Sequence, residues 1–253
     1  MTSVFRYWAR HGYTEGMSGH ISIRDPEYQH CFWTNPLAIH FGLLKASDML
    51  LLSDKPGDPE VILAGNARGR PANKAGWAIH AAVHRRRPDV NAVCHAHTFY
   101  GRAWSAVGNR LDMITQDVCN FYGEALAVYE NYGGVVIGSS LGEGEAIAQA
   151  LGTKGKAAIL ANHGLLSVGG TVDEAGFLFG LLERSCGIQL EWHKSGLKGN
   201  IIQDKEAEFN FSVASTPVTL YWEFQPEYEY EVAMSHDNFQ DLHEKDVQLR
   251  LNL

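Results

Sequence analysis

Apolar residues in this chain fall into short runs bounded by turn residues, and these alternate with longer stretches where apolar residues recur at helical spacing. Short bounded runs read as buried strands, and a 3.6-residue repeat reads as amphipathic helix. A chain patterned this way has to cover a sheet with helices. No run approaches the ~18–20 apolar residues that a membrane-spanning helix needs.

Residues 4–13 place Phe5, Trp8 and Ala9 on one helical face and stop at His11-Gly12. Ile21-Ser22-Ile23 and residues 31–34 read as strands broken by Arg24-Asp25-Pro26, and residues 49–52 and 61–63 read as two more. Residues 73–87 read as a helix closed by Pro88. Residues 91–97 read as a strand entering a helix over 100–107. Strands are expected at 133–136 and 157–160, with a helix over 142–151 between them, capped by Ser140. The longest helix is expected from Asp173 to about His193, with Phe177, Leu178, Leu181, Leu182, Cys186 and Leu190 as its core stripe. Strands first and helices alternating later point to a central mixed sheet with helices on its faces. The chain divides into a domain over 1–198 and an extension over 199–253, polar and aromatic by turns, which packs on that domain or on a neighbouring subunit.

Composition narrows the function. The 253 residues carry a formal net charge of −8, against a nucleic-acid or anionic-membrane binder, since both need a basic face. Hydrophobic residues at 45% and charged residues at 20% match an ordinary globular domain rather than a disordered chain. Residues 1–10 hold no apolar core of signal-peptide length. Cys31, Cys94, Cys119 and Cys186 are widely spaced with no CxxC, so reduced thiols and a cytoplasmic location are expected. The twelve histidines are the unusual count, and they direct the search for chemistry.

The sharpest constellation is His95-Ala96-His97 with Asn162-His163-Gly164. Residues i and i+2 of a strand project from one face, roughly 6.6 Å apart. His163 follows the apolar run 157–160 and so also sits at a strand end, with Gly164 leaving the backbone beside it unobstructed. Three neutral imidazoles suit zinc, iron, cobalt, nickel or manganese, and three protein ligands leave positions open for substrate. A pair of semi-buried polar residues is the other reading of HxH, and spacing alone does not choose.

The stretch Arg87-Pro88-Asp89-Val90-Asn91-Ala92-Val93-Cys94-His95-Ala96-His97, followed by Ala161-Asn162-His163-Gly164-Leu165-Leu166, resembles the class II aldolase and adducin head-domain family. Residues 16–24, Asn35-Pro36 and Glu183-Arg184 add to the likeness, which runs from about Phe5 to Trp192. The resemblance implies a three-layer α/β/α sandwich around a mixed, largely antiparallel sheet. It also implies a divalent metal, zinc first with iron, cobalt or manganese as alternatives, on His95, His97 and His163. Aldolases of the family act on sugar phosphates with a glutamate at the position of Gly76 and phosphate-holding serines at those of Lys74 and Ala75. His20 stands for an asparagine phosphate contact, and Asn35-Pro36-Leu37-Ala38 for a small threonine-proline-serine-glycine loop. Glycine cannot move a proton, so a non-phosphorylated substrate and a different acid or base are expected. Gln116, Asp117 and Tyr122 are the candidate catalytic group, Gln116 falling near a tyrosine proton donor of some members. Candidate substrate contacts are His20, Asn35 and Lys74, with His40 and Phe41 as further lining. His80 and His84, spaced i, i+4 on an apolar helix without the glutamate of HExxH, are expected in the core or behind the metal ligands.

Three functions follow from the resemblance. The first is a metal-dependent lyase on a small carbonyl or carboxylate compound, by aldol or retro-aldol cleavage, decarboxylation or epimerisation. The second is a non-haem iron(II) oxygenase on an oxo-acid. The third is a non-catalytic adducin-like binding module, disfavoured by the retained histidines and by the acidic 223–244 segment. The resemblance further implies a homotetramer with sites near subunit interfaces, while the acidic charge and the short apolar runs lead to the expectation of no nucleic-acid or membrane-inserted partner. The aromatic run 221–226 would then cover a neighbour's pocket and supply Tyr228 or Tyr230.

Overall fold

The computed structural model describes residues 1–54, 62–134, 141–236 and 238–241. In chain order these form α1 (Thr2–Arg10), β1 (His20–Arg24), β2 (Cys31–Thr34), β3 (Leu50–Ser53) and β4 (Ile62–Gly65), then α2 (Lys74–Arg86), β5 (Ala92–Ala96) and α3 (Phe99–Ser105). There follow β6 (Leu126–Tyr129), α4 (Leu141–Leu151), β7 (Ala157–Leu160), β8 (Gly164–Gly169), α5 (Val172–Ser195), α6 (Asp204–Ala214) and α7 (Pro217–Met234). One eight-stranded sheet runs β4-β3-β2-β1-β5-β8-β7-β6. Neighbours are antiparallel except β6 and β7.

The period of two along each strand sorts the core into two layers. Ala92, Cys94 and Ala96 of β5, Ala157 and Ile159 of β7 and Leu165 of β8 face α1, α5 and α7. Val93, Ala158, Leu160, Leu166 and Val168 face α2 and α4. Helices on both faces of a mixed, mostly antiparallel sheet give the expected three-layer architecture. Helix ends are set locally. Asn73 Oδ1 accepts from Gly76 N at 3.1 Å to start α2, and Thr171 Oγ1 accepts from Glu174 N at 3.1 Å to start α5. Gly196, at φ +64°, ends α5 in the left-handed conformation.

Two strands depart from the sequence expectation. Of the expected strand at 133–136 only Gly133 and Gly134 are described, and these are irregular; residues 135–140, which include Ser140, lie outside the described residues. The strand in this region is β6, upstream of the β-branched valines that suggest one. The sequence does not signal β8, because glycines bound it and Ser167 interrupts its apolar run. The Ser167 hydroxyl is fully buried and donates to Ala175 O at 2.7 Å, which satisfies it inside the sheet. Val61 also lies outside the described residues.

Helices α6 and α7 fold onto their own domain. Leu220 and Phe224 are buried in the same core as α1 and α5, and Phe224 meets Tyr7 edge to face at 5.6 Å. Arg10 pairs with Glu231 at 2.7 Å and with Glu227. Tyr228 accepts from Gln240, and Tyr230 lies against the Arg10 guanidinium. Among the described residues no helix is long and apolar enough to cross a membrane. Phe224→Ala is expected to cost about 3–5 kcal/mol in urea unfolding, whereas Trp222→Ala, at a 65% exposed position, is expected to stay within about 0.5 kcal/mol. Equal small losses would show that α7 is not part of the cooperative core.

Candidate metal centre

Strand register places the histidines. β5 lies between β1 and β8, with His20 opposite His95, and Leu165 and Leu166 opposite Ala96 and His95. His97 is just beyond the end of β5. His163 occupies the turn between β7 and β8, where Asn162 takes φ +56° and His163 N bonds Leu160 O at 3.0 Å. Gly164 is required there, because a Cβ would meet Ala96 O at 2.8 Å. One ligand nitrogen from each of His95, His97 and His163 lies within 4.8 Å of the others. The three rings meet edge to face, with centroids 4.8–5.1 Å apart.

These residues fit a divalent cation. His95 Nδ1 donates to Leu165 O at 2.8 Å, which turns Nε2 toward the cluster as an unprotonated ligand. His163 Nδ1 is buried with no hydrogen-bond partner, and a ligand bond would satisfy it. Burial pushes His95 well below the ordinary imidazole value and His163 down to about 4, with the neighbouring imidazoles adding to the effect; His97 is lowered too. All three are therefore neutral near pH 7, the form that binds metal. His97 is steadied from behind. Glu183 of α5 accepts from Thr98 Oγ1, from Tyr100 N at 2.9 Å and from Gly101 N at 2.7 Å, which fixes the turn leaving β5.

The cluster opens on a cavity of about 310 Å³. Its wall includes His20, Asn73, Gly76, Ile79 and Tyr132, and no lysine or arginine is among the described residues lining it. Tyr132, ring centroid 6.0 Å from that of His163, escapes a reading of the sequence because no motif surrounds it. Of the other candidates, Asn35 is buried behind the wall. Its Oδ1 accepts from Ile21 N and its Nδ2 donates to Gly19 O, so it shapes the turn that presents His20. Lys74 is exposed at the start of α2, and His40 caps a 3-10 turn by accepting from Gly42 N. Phe41 lies behind Gly19. Gln116 and Asp117 are exposed, and Tyr122 is half-buried; the chain does not bring these three to this cavity.

Behind the wall, Gly76, His80 and His84 form an i, i+4, i+8 stripe on α2 over His20 and Ser22 of β1. His20 Nδ1 meets His80 Nε2, His80 Nδ1 meets Ser22 Oγ, and Ser22 Oγ meets His84 Nε2, each at 2.7 Å; His84 Nδ1 meets Val90 O at 3.2 Å. Burial drives His20 and His80 well below the ordinary imidazole value and His84 down to about 3. From pH 6.5 down toward 3 the unfolded chain therefore binds a proton at His84 that the folded chain refuses, so stability falls as pH falls. At pH 5 such an imidazole costs about 2 kcal/mol relative to pH 7. Urea unfolding of chelator-treated protein should show the lower midpoint at pH 5 and a shallower dependence in His84→Gln; a stability that is flat or rises toward pH 5 would contradict the neutral buried state.

Comparison with known proteins agrees with this geometry. Residues 1–190 match the family model described as Class II Aldolase and Adducin N-terminal domain. The meiotically up-regulated gene 14 protein of Schizosaccharomyces pombe is 40% identical over 238 residues, 93% of this chain and 89% of that protein. A Streptomyces roseochromogenus subsp. oscitans protein, named 4-hydroxy-3-prenylphenylpyruvate oxygenase/4-hydroxy-3-prenylbenzoate synthase, is 41% identical over 188 residues; the match spans 74% of this chain and 64% of that protein's length. The structure of L-fuculose 1-phosphate aldolase from Glaciozyma antarctica superposes with a TM-score of 0.83 at 34% identity, covering 94% of this chain and 89% of the other. With its sequence matched over most of its length and its histidines converging at the end of the central strand, the chain belongs to the class II aldolase and adducin N-terminal domain family.

Proposed function

We propose that this chain is a metal-dependent enzyme of lyase type, acting on a small non-phosphorylated carbonyl or carboxylate compound. The observation that carries the proposal is the convergence of three imidazoles, one with an unpartnered buried nitrogen, on one cavity. A divalent ion held by His95, His97 and His163, zinc in the first instance, would supply Lewis-acid polarisation of a substrate oxygen. The rest of the machinery is the chain's own. Leu165 O and the Glu183 anchor keep His95 and His97 in place, so little reorganisation is needed on binding. Ile79 and Met17 give the cavity apolar wall, which strengthens polar contacts inside it. Tyr132 brings a hydroxyl donor, and His20 a second imidazole, to the same space. The phosphate-holding serines and asparagine of the family's aldolases are replaced here by Lys74, Ala75 and His20, which supports a substrate without phosphate.

A second reading is an iron(II) oxygenase on an oxo-acid, favoured by the name of the Streptomyces relative and by a three-histidine donor set with open positions. Metal identity separates the two. In either case the chain is proposed to work in the cytoplasm and as a homo-oligomer, the latter supported by the uncovered Phe209, Val213, Val218 and Trp222 of α6 and α7.

Metal content is the direct test, measured by plasma mass spectrometry on protein purified without chelator or nickel, beside the His95→Ala/His97→Ala double variant. About one ion per chain, lost in the variant, is expected. Zinc, cobalt or manganese supports the lyase, and iron with oxygen uptake on oxo-acids moves the oxygenase ahead. No metal in either protein after reconstitution overturns the proposal.

A further inference from the structure

The chain of contacts running from Val90 to the cavity has a direction. Val90 O is a carbonyl and can only accept, and its other contact, Arg24 Nη2 at 3.4 Å, is also a donor. His84 must therefore carry its hydrogen on Nδ1, which leaves Nε2 as an acceptor. Ser22 Oγ then donates to His84 and accepts from His80 Nδ1, because a hydroxyl has one hydrogen. His80 Nε2 is left as an acceptor, so His20 Nδ1 donates to it. The polarity of every bond follows from the carbonyl at the far end, provided that each imidazole is neutral. Burial enforces neutrality, since His80, His84 and Ser22 are at most 2% exposed and His20 is 6% exposed. The chain ends on a carbonyl and cannot export a proton. What it fixes is which ring nitrogen holds the hydrogen.

At the near end, His20 Nε2 has no hydrogen-bond partner among the described residues, and His20 lines the cavity beside His95, the two ring centroids being 4.9 Å apart. Gly76 makes room for it: a Cβ there would lie 2.3 Å from His20 Nε2. We propose that His20 is a specificity-determining residue whose Nε2 is locked as a hydrogen-bond acceptor by the His80–Ser22–His84–Val90 chain, so that the cavity selects a substrate carrying a hydroxyl donor next to the oxygen directed at His95, His97 and His163. The proposal rests on reading this cavity as the substrate site. His80, Ser22 and His84 act through His20 and are positioning residues.

The test has two independent readouts. Long-range proton–nitrogen correlation spectra of nitrogen-15-labelled protein, metal-free and zinc-loaded, report the tautomer of each imidazole. His20, His80 and His84 are all expected in the Nδ1–H form in both states. His20 in the Nε2–H form overturns the proposal whether or not zinc binds, so its failure is separate from failure of the metal centre. The second readout is calorimetric titration of glycolate and acetate, which differ by one hydroxyl, into zinc-loaded wild type and Ser22→Ala. Glycolate is expected to bind about tenfold tighter than acetate in the wild type, the worth of one hydrogen bond, with most of that preference lost in Ser22→Ala and regained in Ser22→Thr. A glycolate preference of equal size in Ser22→Ala would come from the metal alone and overturns the role given to His20. Should Ser22→Ala fail to fold, the wild-type tautomers still decide the proposal.

Discussion

The position of β5 between two antiparallel partners is the constraint on which the site depends. Its bonds to β1 set His20 across from His95, and its bonds to β8 bring Leu165 O to His95 Nδ1 and swing the His163 turn over the strand end. A slip of one residue in either ladder would send His95 to the other face of the sheet, among the α1 and α5 side chains. Apolar packing on both faces forbids that slip. The three candidate ligands are thus collected by backbone register and core burial rather than by attraction for one another, and the centre is assembled as a by-product of folding.

The seam between α2 and β1 works against stability unless it is complete. Two histidines of α2, together with His20 and Ser22 of β1, are withdrawn from water, and each unpaired donor or acceptor would cost about 1–3 kcal/mol. Apart from His20 Nε2 at the cavity, each ring nitrogen and the hydroxyl in this seam has a partner, as a buried network requires. Ile79, Ala82 and Val83 flank it and bury apolar area on the same helix, which offsets what the polar stripe forgoes. His163 Nδ1 is buried without a partner, as are Trp8 Nε1, Arg24 Nε and Asn120 Oδ1, and of these four residues only His163 belongs to the ligand cluster.

Much of this is legible in the residues alone, and the exceptions have physical causes. HxH on a strand and a histidine after an apolar run are local patterns, so the sequence by itself nominates His95, His97 and His163. The i, i+4 pair His80 and His84 is visible as a repeat, and His20 and Ser22 are adjacent positions on one face of the strand that follows Gly19. Which strand a helix covers is decided by topology, so their union is not legible. β8 is obscured by its glycines, Gly164 needed for close approach to β5 and Gly169 for close approach to α5, and by a serine whose partner belongs to α5. Gln116 is nominated by position along a family pattern, and Asp117 and Tyr122 as the polar and aromatic residues beside it, and the chain leaves all three out of the cavity lining; Asn35 and Lys74 flank the wall without lining it.

Gly76 and His20 make a coupled pair for steric reasons. Gly76 is in the first turn of a helix, where its N–H is held by Asn73 and its φ is not positive, so backbone freedom does not explain it. A glycine inside a helix gives up roughly 1 kcal/mol relative to alanine. The space explains it, since any Cβ would fall on the edge of the His20 imidazole. That ring cannot retreat without breaking its bond to His80, and His80 cannot follow without releasing Ser22. A larger residue at 76 is therefore compatible with this architecture only if His20 becomes smaller, and an imidazole at 20 is compatible only with glycine at 76. At this point of the wall the side chain comes either from position 76 of α2 or from position 20 of β1, and in this chain it comes from β1.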